Sequence, residues 1–154
     1  MTLFSLVLTL QVDAQQVPIT SQYLTNGLVI NPAYAGTREA LSANITYRKQ
    51  WARIVGAPQF QTISLHSPVN NKEKVSLGLM ADYLTYGVTK DVGIYAFYSY
   101  AVRLGKGRLT MGLKGGIDLS NTNYNRLQFP DGNPADPLLT GDMKYTLPNM
   151  GLGF

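Results

Sequence analysis

His66 is the only histidine of the 154-residue chain, and there is no cysteine. A lone imidazole has no thiol to activate and no second imidazole with which to share a metal, so a polar-face or rim position near a strand end is the expectation for it. Asp131, Asn133 and Asp136 in FPDGNPAD offer hard oxygen ligands at the close spacing that suits Ca²⁺. The full twelve-residue calcium pattern is missing, however, and Asp and Asn beside Gly and Pro are turn formers in their own right. Lys114, Gly115 and Gly116 carry a faint suggestion of phosphate binding, but no strand, loop and helix unit follows them. The expectation is therefore a chain with no catalytic residues, no metal and no cofactor, and a function that is not enzymatic.

The composition points to a membrane. Hydrophobic residues make up 45% of the chain and charged residues only 14%, a low proportion for a water-facing surface of this size. The net charge of +4 is scattered, which leaves nucleic-acid binding without an electrostatic footprint. Without cysteine there is no disulfide framework. Residues 1–14, MTLFSLVLTLQVDA, form an apolar run ending in Val12, Asp13 and Ala14, which reads as a signal peptide cut after Ala14. Its basic n-region is missing, since the first Lys or Arg is Arg38, and the run is too short for the ~20 apolar residues of a membrane-spanning helix.

After the leader, no segment sustains helical apolar spacing, whereas alternation with a period of two recurs. Leu41, Ala43, Ile45 and Tyr47 oppose Ser42, Asn44, Thr46 and Arg48. Gln61, Ile63 and Leu65 oppose Thr62, Ser64 and His66, and a third run sets Val75, Leu77, Leu79, Ala81 and Tyr83 against Ser76, Gly78, Met80 and Asp82. A fourth extends from Val92 to Leu104 with Gly93, Tyr95, Phe97, Ser99, Ala101 and Arg103 on its second face. A fifth places Leu109, Met111, Leu113, Ile117 and Leu119 opposite Thr110, Gly112, Lys114, Gly116, Asp118 and Ser120. A sixth begins near Pro148.

Two connections are short and polar, SPVNNKEK and LGKGR, and the others read as longer, above all residues 121–147. Alternating short and long connections suit an antiparallel outer-membrane barrel with short periplasmic turns and longer outer loops. A soluble sandwich or lipocalin-like barrel gives the same alternation with its apolar face turned inward. Strand length favours the membrane, because the runs match the ~9 to 11 residues that cross a bilayer at a tilt. Tyr47, Tyr83, Tyr86 and Tyr145 near strand ends suit aromatic girdles, and polar faces rich in Gly, Ser and Thr suit a hydrated lumen. The organisation expected is a leader (residues 1–14), a periplasmic or plug-like segment (15–40) and an incomplete barrel (41–154). Barrels of this kind have at least ~8 strands, so five or six cannot close, and the chain is expected to be a piece of a longer product. Phe154 is then read as an accident of the break rather than as a terminal aromatic.

Residues 21–58 carry motifs with a local reading of their own. In Asn31-Pro32-Ala33-Tyr34-Ala35-Gly36, proline biases Asn31 to extended geometry and Gly36 is free to take a positive φ. Arg48, Lys49, Gln50 and Trp51 fall where the first strand leaves the membrane, suited to headgroup contact and interface anchoring, or to recognition of a secreted partner. Together with Ser21-Gln22-Tyr23 and Gly56-Ala57-Pro58, these motifs closely resemble, in order, the opening of the PorP/SprF family of type IX secretion and gliding-associated outer-membrane proteins of the Bacteroidetes. The resemblance covers nearly all of the mature chain but about half of a family member. It marks Asn31, Pro32, Tyr34, Gly36, Arg48, Gln50, Trp51, Gly56 and Pro58 as family motif or interface positions.

That resemblance implies a barrel in the bacterial outer membrane, in contact with its lipid and with type IX components. Those components include a periplasmic peptidoglycan-binding lipoprotein, and the role implied is helping secreted or surface-displayed cargo proteins reach or stay on the cell surface. A porin-like channel for small solutes is the alternative. Residues 121–147, with Trp51 and its basic neighbours, are expected to face outward and touch cargo.

Overall fold

The computed structural model describes residues 25–69, 74–124 and 141–154. The leader, the Ser21-Gln22-Tyr23 motif and the Asp131–Asn133–Asp136 group therefore lie outside the described residues. The described chain builds one six-stranded antiparallel sheet in strict sequence order: β1 (Ser42–Lys49), β2 (Gln59–Pro68), β3 (Val75–Tyr86), β4 (Thr89–Leu104), β5 (Gly107–Asn123) and β6 (Asp142–Gly153). No α-helix occurs among the described residues, only two 3₁₀ turns, Gly27–Val29 and Pro32–Tyr34, ahead of β1. Among the described residues β1 and β6 each pair on one side only, and the sheet is open, as in part of a barrel.

Period-two alternation sets which residues share a face, and the register keeps the faces in phase from strand to strand. Ile45, Ile63, Ala81, Ile94, Ile117 and Pro148 are successive register partners across all six strands, a wholly apolar row. The opposite face carries Ser64, Ser76, Ser99, Gly112 and Gly153. Exposure decides between the membrane and soluble readings: Ile45 is 78% and Leu79 61% exposed, while Ser64 and Ser99 are 2% and 1% exposed. A soluble sandwich buries its branched apolar residues; this sheet turns them outward and covers its hydroxyls. Ten residue steps of ~3.4 Å from Val92 to Val102, at a tilt of ~40°, rise about 26 Å, close to the ~25 Å apolar band of a membrane barrel.

Three expectations need correction. β6 begins at Asp142 rather than near Pro148, and β5 runs on to Asn123, so the long connection is residues 124–141 rather than 121–147. The β3–β4 connection is not long. The alternation breaks at Tyr83 because Leu84, a second apolar residue, follows it directly and shifts the phase, yet Leu84, Thr85 and Tyr86 pair with Asp91, Lys90 and Thr89 across a two-residue turn at Gly87 and Val88. Gly87, at φ 56°, takes the left-handed conformation such a tight hairpin needs. The outward positions at these ends, Thr85, Lys90, Asn121 and Lys144, are polar, as suits strands leaving lipid, so the outward apolar run stops before the strand does. Connections of residues 69–74 and 105–106 define a turn end of the sheet, and those of 50–58, 87–88 and 124–141 define a loop end. Finally, Tyr47 and Tyr83 share the outward face near the loop end, but Tyr86 and Tyr145 fall in the inward phase, in register with Thr89 and Ser120.

Candidate functional site: a crossbar on the concave face

The segment before β1 lies across the concave face at the turn end, almost perpendicular to the strands. Small residues make the seat. Ser76, Ser99, Gly112 and Gly153 are register partners in one row of β3, β4, β5 and β6. Residues 31–36 follow that row. A Cβ on Gly153 would strike the Asn31 side chain, and one on Gly112 would strike the backbone of Pro32 and Ala33. Ser99 Oγ donates to the Ala35 carbonyl at 2.8 Å, and a Cβ on Gly36 would run into Ser76. The Gly36 N–H finally donates to His66 Nδ1 of β2 at 3.1 Å. The motif thus crosses from β6 to β2 before the chain turns back into β1.

Each residue has a defined part in this crossbar. Asn31 is extended, at φ −136° and ψ 116°, and its side chain accepts from the Ala33 N–H at 2.9 Å while donating to the Phe154 carbonyl at 2.9 Å. Pro32 opens the second 3₁₀ turn, where its missing N–H costs nothing. Tyr34 meets the His66 ring edge to face, centroids 5.8 Å apart. Gly36 adopts φ +75°, a conformation that only glycine takes without strain. Ahead of the motif, Leu28 is buried in a small apolar core with Ala35, Met80, Tyr95 and Phe97. Gly78 lies beneath it, between His66 and Phe97, where a Cβ would stand 3.3 Å from the Cβ of each. Arg108 closes the return into β1 by pairing with Glu39 at 3.3 Å.

Beyond the crossbar toward the loop end lies an open concavity of ≈ 270 Å³ lined by Val29, Met80, Asp82, Tyr95, Lys114 and Asn149, among others. Its polar groups bond to one another across strands. The Tyr95 hydroxyl donates to Asp118 Oδ1, Asn149 Nδ2 donates to Asp118 Oδ2 at 2.8 Å, and Lys114 Nζ stands 4.6 Å from the Tyr95 ring centroid. Ser120 Oγ donates to Asp91. These contacts tie β4, β5 and β6 side chain to side chain. His66, held at the crossbar, is not part of this network, and no cluster of metal-ligating groups occurs among the described residues.

The second set of motif positions lies at the opposite end. Arg48 is the penultimate residue of β1, in register with Phe60. The loop of residues 50–58 closes when the Gln50 N–H donates to the Pro58 carbonyl at 2.9 Å. Trp51 takes φ 47° and is 66% exposed. Gly56, at φ +79°, accepts at its carbonyl from the Gly87 N–H at 2.9 Å, which docks this loop on the β3–β4 hairpin. The motif residues therefore form two groups at opposite ends of the sheet.

Sequence reading passed over the seat. Gly78, Gly112, Ser76, Ser99 and His66 were legible only as a polar face fit for a hydrated lumen, and Gly153 had no assigned face, whereas the small residues at the turn end leave space for the crossbar. The available signal was a Gly or Ser near the turn end of the polar face in each of β3, β4 and β5: Ser76 and Gly78, Ser99, and Gly112.

An apolar exterior, a polar concave interior and a preceding segment laid across that interior define part of a membrane β-barrel. The family model described as type IX secretion system membrane protein PorP/SprF matches residues 12–154, so the chain belongs to that family of membrane proteins. Searches of curated proteins and of solved structures returned no match.

Proposed function

We propose that this protein is a non-enzymatic β-barrel component of the outer membrane that serves the type IX secretion and gliding apparatus, helping cargo proteins to be exported or held at the cell surface. The observation that carries this reading is the crossbar. A segment locked over the inner face by the Ser99 and His66 contacts supports a docking and anchoring barrel over a diffusion channel, which needs a clear lumen. Its position at the turn end suits contact with periplasmic components of the apparatus, including a peptidoglycan-binding lipoprotein. The loop end, with Trp51 exposed, suits contact with cargo. The free edges of β1 and β6 call for further strands, from a longer form of the same polypeptide, to close the barrel.

The test is deletion of residues 125–140 from the full-length protein in its native host, with surface cargo assayed by whole-cell proteolysis and single-channel conductance measured on purified protein. The proposal expects surface cargo to fall while conductance stays at background in both forms. Unchanged cargo display together with an open-channel conductance above background would reverse the choice in favour of the porin reading.

A further inference from the structure

Register rows on the outward face can be followed from one edge of the sheet to the other. The last complete row at the loop end is Lys49, Gln59, Thr85, Lys90, Asn121 and Lys144, each the lateral partner of the next. All six are polar and three are lysines. The neighbouring row toward the membrane centre contains Tyr47 and Tyr83, and the next is the wholly apolar row of Ile45 and Ile94. These lysines come from strands far apart in sequence, and only the register gathers them.

Charge is sorted between the faces. Asp82, Asp91 and Asp118, the carboxylates of β3, β4 and β5, all alternate to the concave side, as their bonds and the lining of the concavity show. Asp142, at the first residue of β6 and one row further out, is the single outward carboxylate on the described strands. At the turn end the outward rows stay apolar, through Tyr100 and Met111 to Val102 and Leu109. One rim of the lipid-facing surface is thus cationic, and it borders directly on apolar surface.

We infer that Lys90, Asn121 and Lys144, with Lys49 further along the same row, form a headgroup site for a lipid whose phosphate headgroup bears a net negative charge, in the leaflet at the loop end. Lys90 and Lys144 flank Asn121 at one strand spacing of ~4.8 Å on either side, so two flexible ammonium groups and an amide donor converge on a single anionic group. Acyl chains attached to it would run down the adjoining Val92 and Leu119 toward Ile94 and Ile117. That continuity selects a lipid, because a soluble anion gains nothing from the apolar surface beside the lysines. The inference rests on the membrane-barrel reading.

The full-length protein, reconstituted in phosphatidylcholine bilayers doped with phosphatidylglycerol and extracted for native mass spectrometry, is expected to retain phosphatidylglycerol preferentially. K90Q/K144Q lowers that retention about fivefold, K90R/K144R keeps it, and K74Q/K106Q at the turn end leaves it unchanged. Retention by K90Q/K144Q equal to the parent, or an equal fall in K74Q/K106Q, overturns the headgroup site while leaving the barrel intact. A protein that enters neither neutral nor doped bilayers overturns the barrel reading and the site with it.

Discussion

Gly112 shows how much one missing side chain can decide. Its neighbour across the concave face is the backbone of Pro32 and Ala33, so Gly112→Val forces the crossbar off its seat, at a cost of ~1–3 kcal/mol by analogy with overpacked cores. Hydrogen exchange in residues 31–36 is expected to rise in this variant. Gly115→Val is the control, since Gly115 faces outward and nothing lies within 4 Å of a Cβ there; equal exchange in both variants would show that the seat is not what holds the segment. Ser99→Ala tests the same contact from the other side. It strips the Ala35 carbonyl of its donor in a buried place, with an expected loss of ~1 kcal/mol in denaturant unfolding. His66 acts by accepting the Gly36 N–H, which fits an uncharged imidazole protonated at Nε2. That role explains a lone histidine on a strand without recourse to catalysis.

At the scale of the strand, direction of facing matters more than composition. Ile94 and Phe97 are both large and apolar, yet Ile94 is 50% exposed to the lipid side and Phe97 is 2% exposed beneath the crossbar. Ile94→Arg places a charge near the middle of the apolar band and is expected to cost ~2–4 kcal/mol of folding in lipid. A charge on the concave face already exists at Lys114, beside the Tyr95 ring. Heat-modifiable migration on gels would report the loss of folded barrel; a fully folded Ile94→Arg protein would mean that β4 does not face lipid at this point. The hairpin at Gly87 and Val88 belongs to the same scale, because strand pairing there continues past the membrane boundary and supports the loop of residues 50–58 through Gly56.

For the whole molecule, the open sheet is the governing fact. Among the described residues β1 and β6 are the edge strands, and an edge strand offers backbone groups that lipid cannot satisfy. The 154-residue chain by itself is therefore expected to self-associate in detergent through these edges, as measured by light scattering after size exclusion, whereas a longer form that supplies the missing strands stays monomeric. A monodisperse monomer of the 154-residue chain would mean that the edges are covered in some other way.

The sequence by itself determined the strands and their two faces, because an alternation of two is a local property that each strand carries whatever its neighbours are. It also determined the backbone of the Asn31 to Gly36 motif, whose proline and glycine restrict or free their own dihedrals, and it carried the motifs that resemble the family to which the chain belongs. Strand ends were read less well, since the apolar positions change face between Tyr83 and Leu84 and between Leu147 and Pro148, so Leu84 to Tyr86 and Asp142 to Leu147 fall out of phase with the rest of their strands while pairing fully. Only the tertiary structure decided where the motif lies. The seat of Ser76, Ser99, Gly112 and Gly153 draws one residue from each of four strands, and the outer row of Lys49, Lys90 and Lys144 one from each of three. Such rows run across the chain, fixed by hydrogen-bond register between strands, and no window along the sequence contains them.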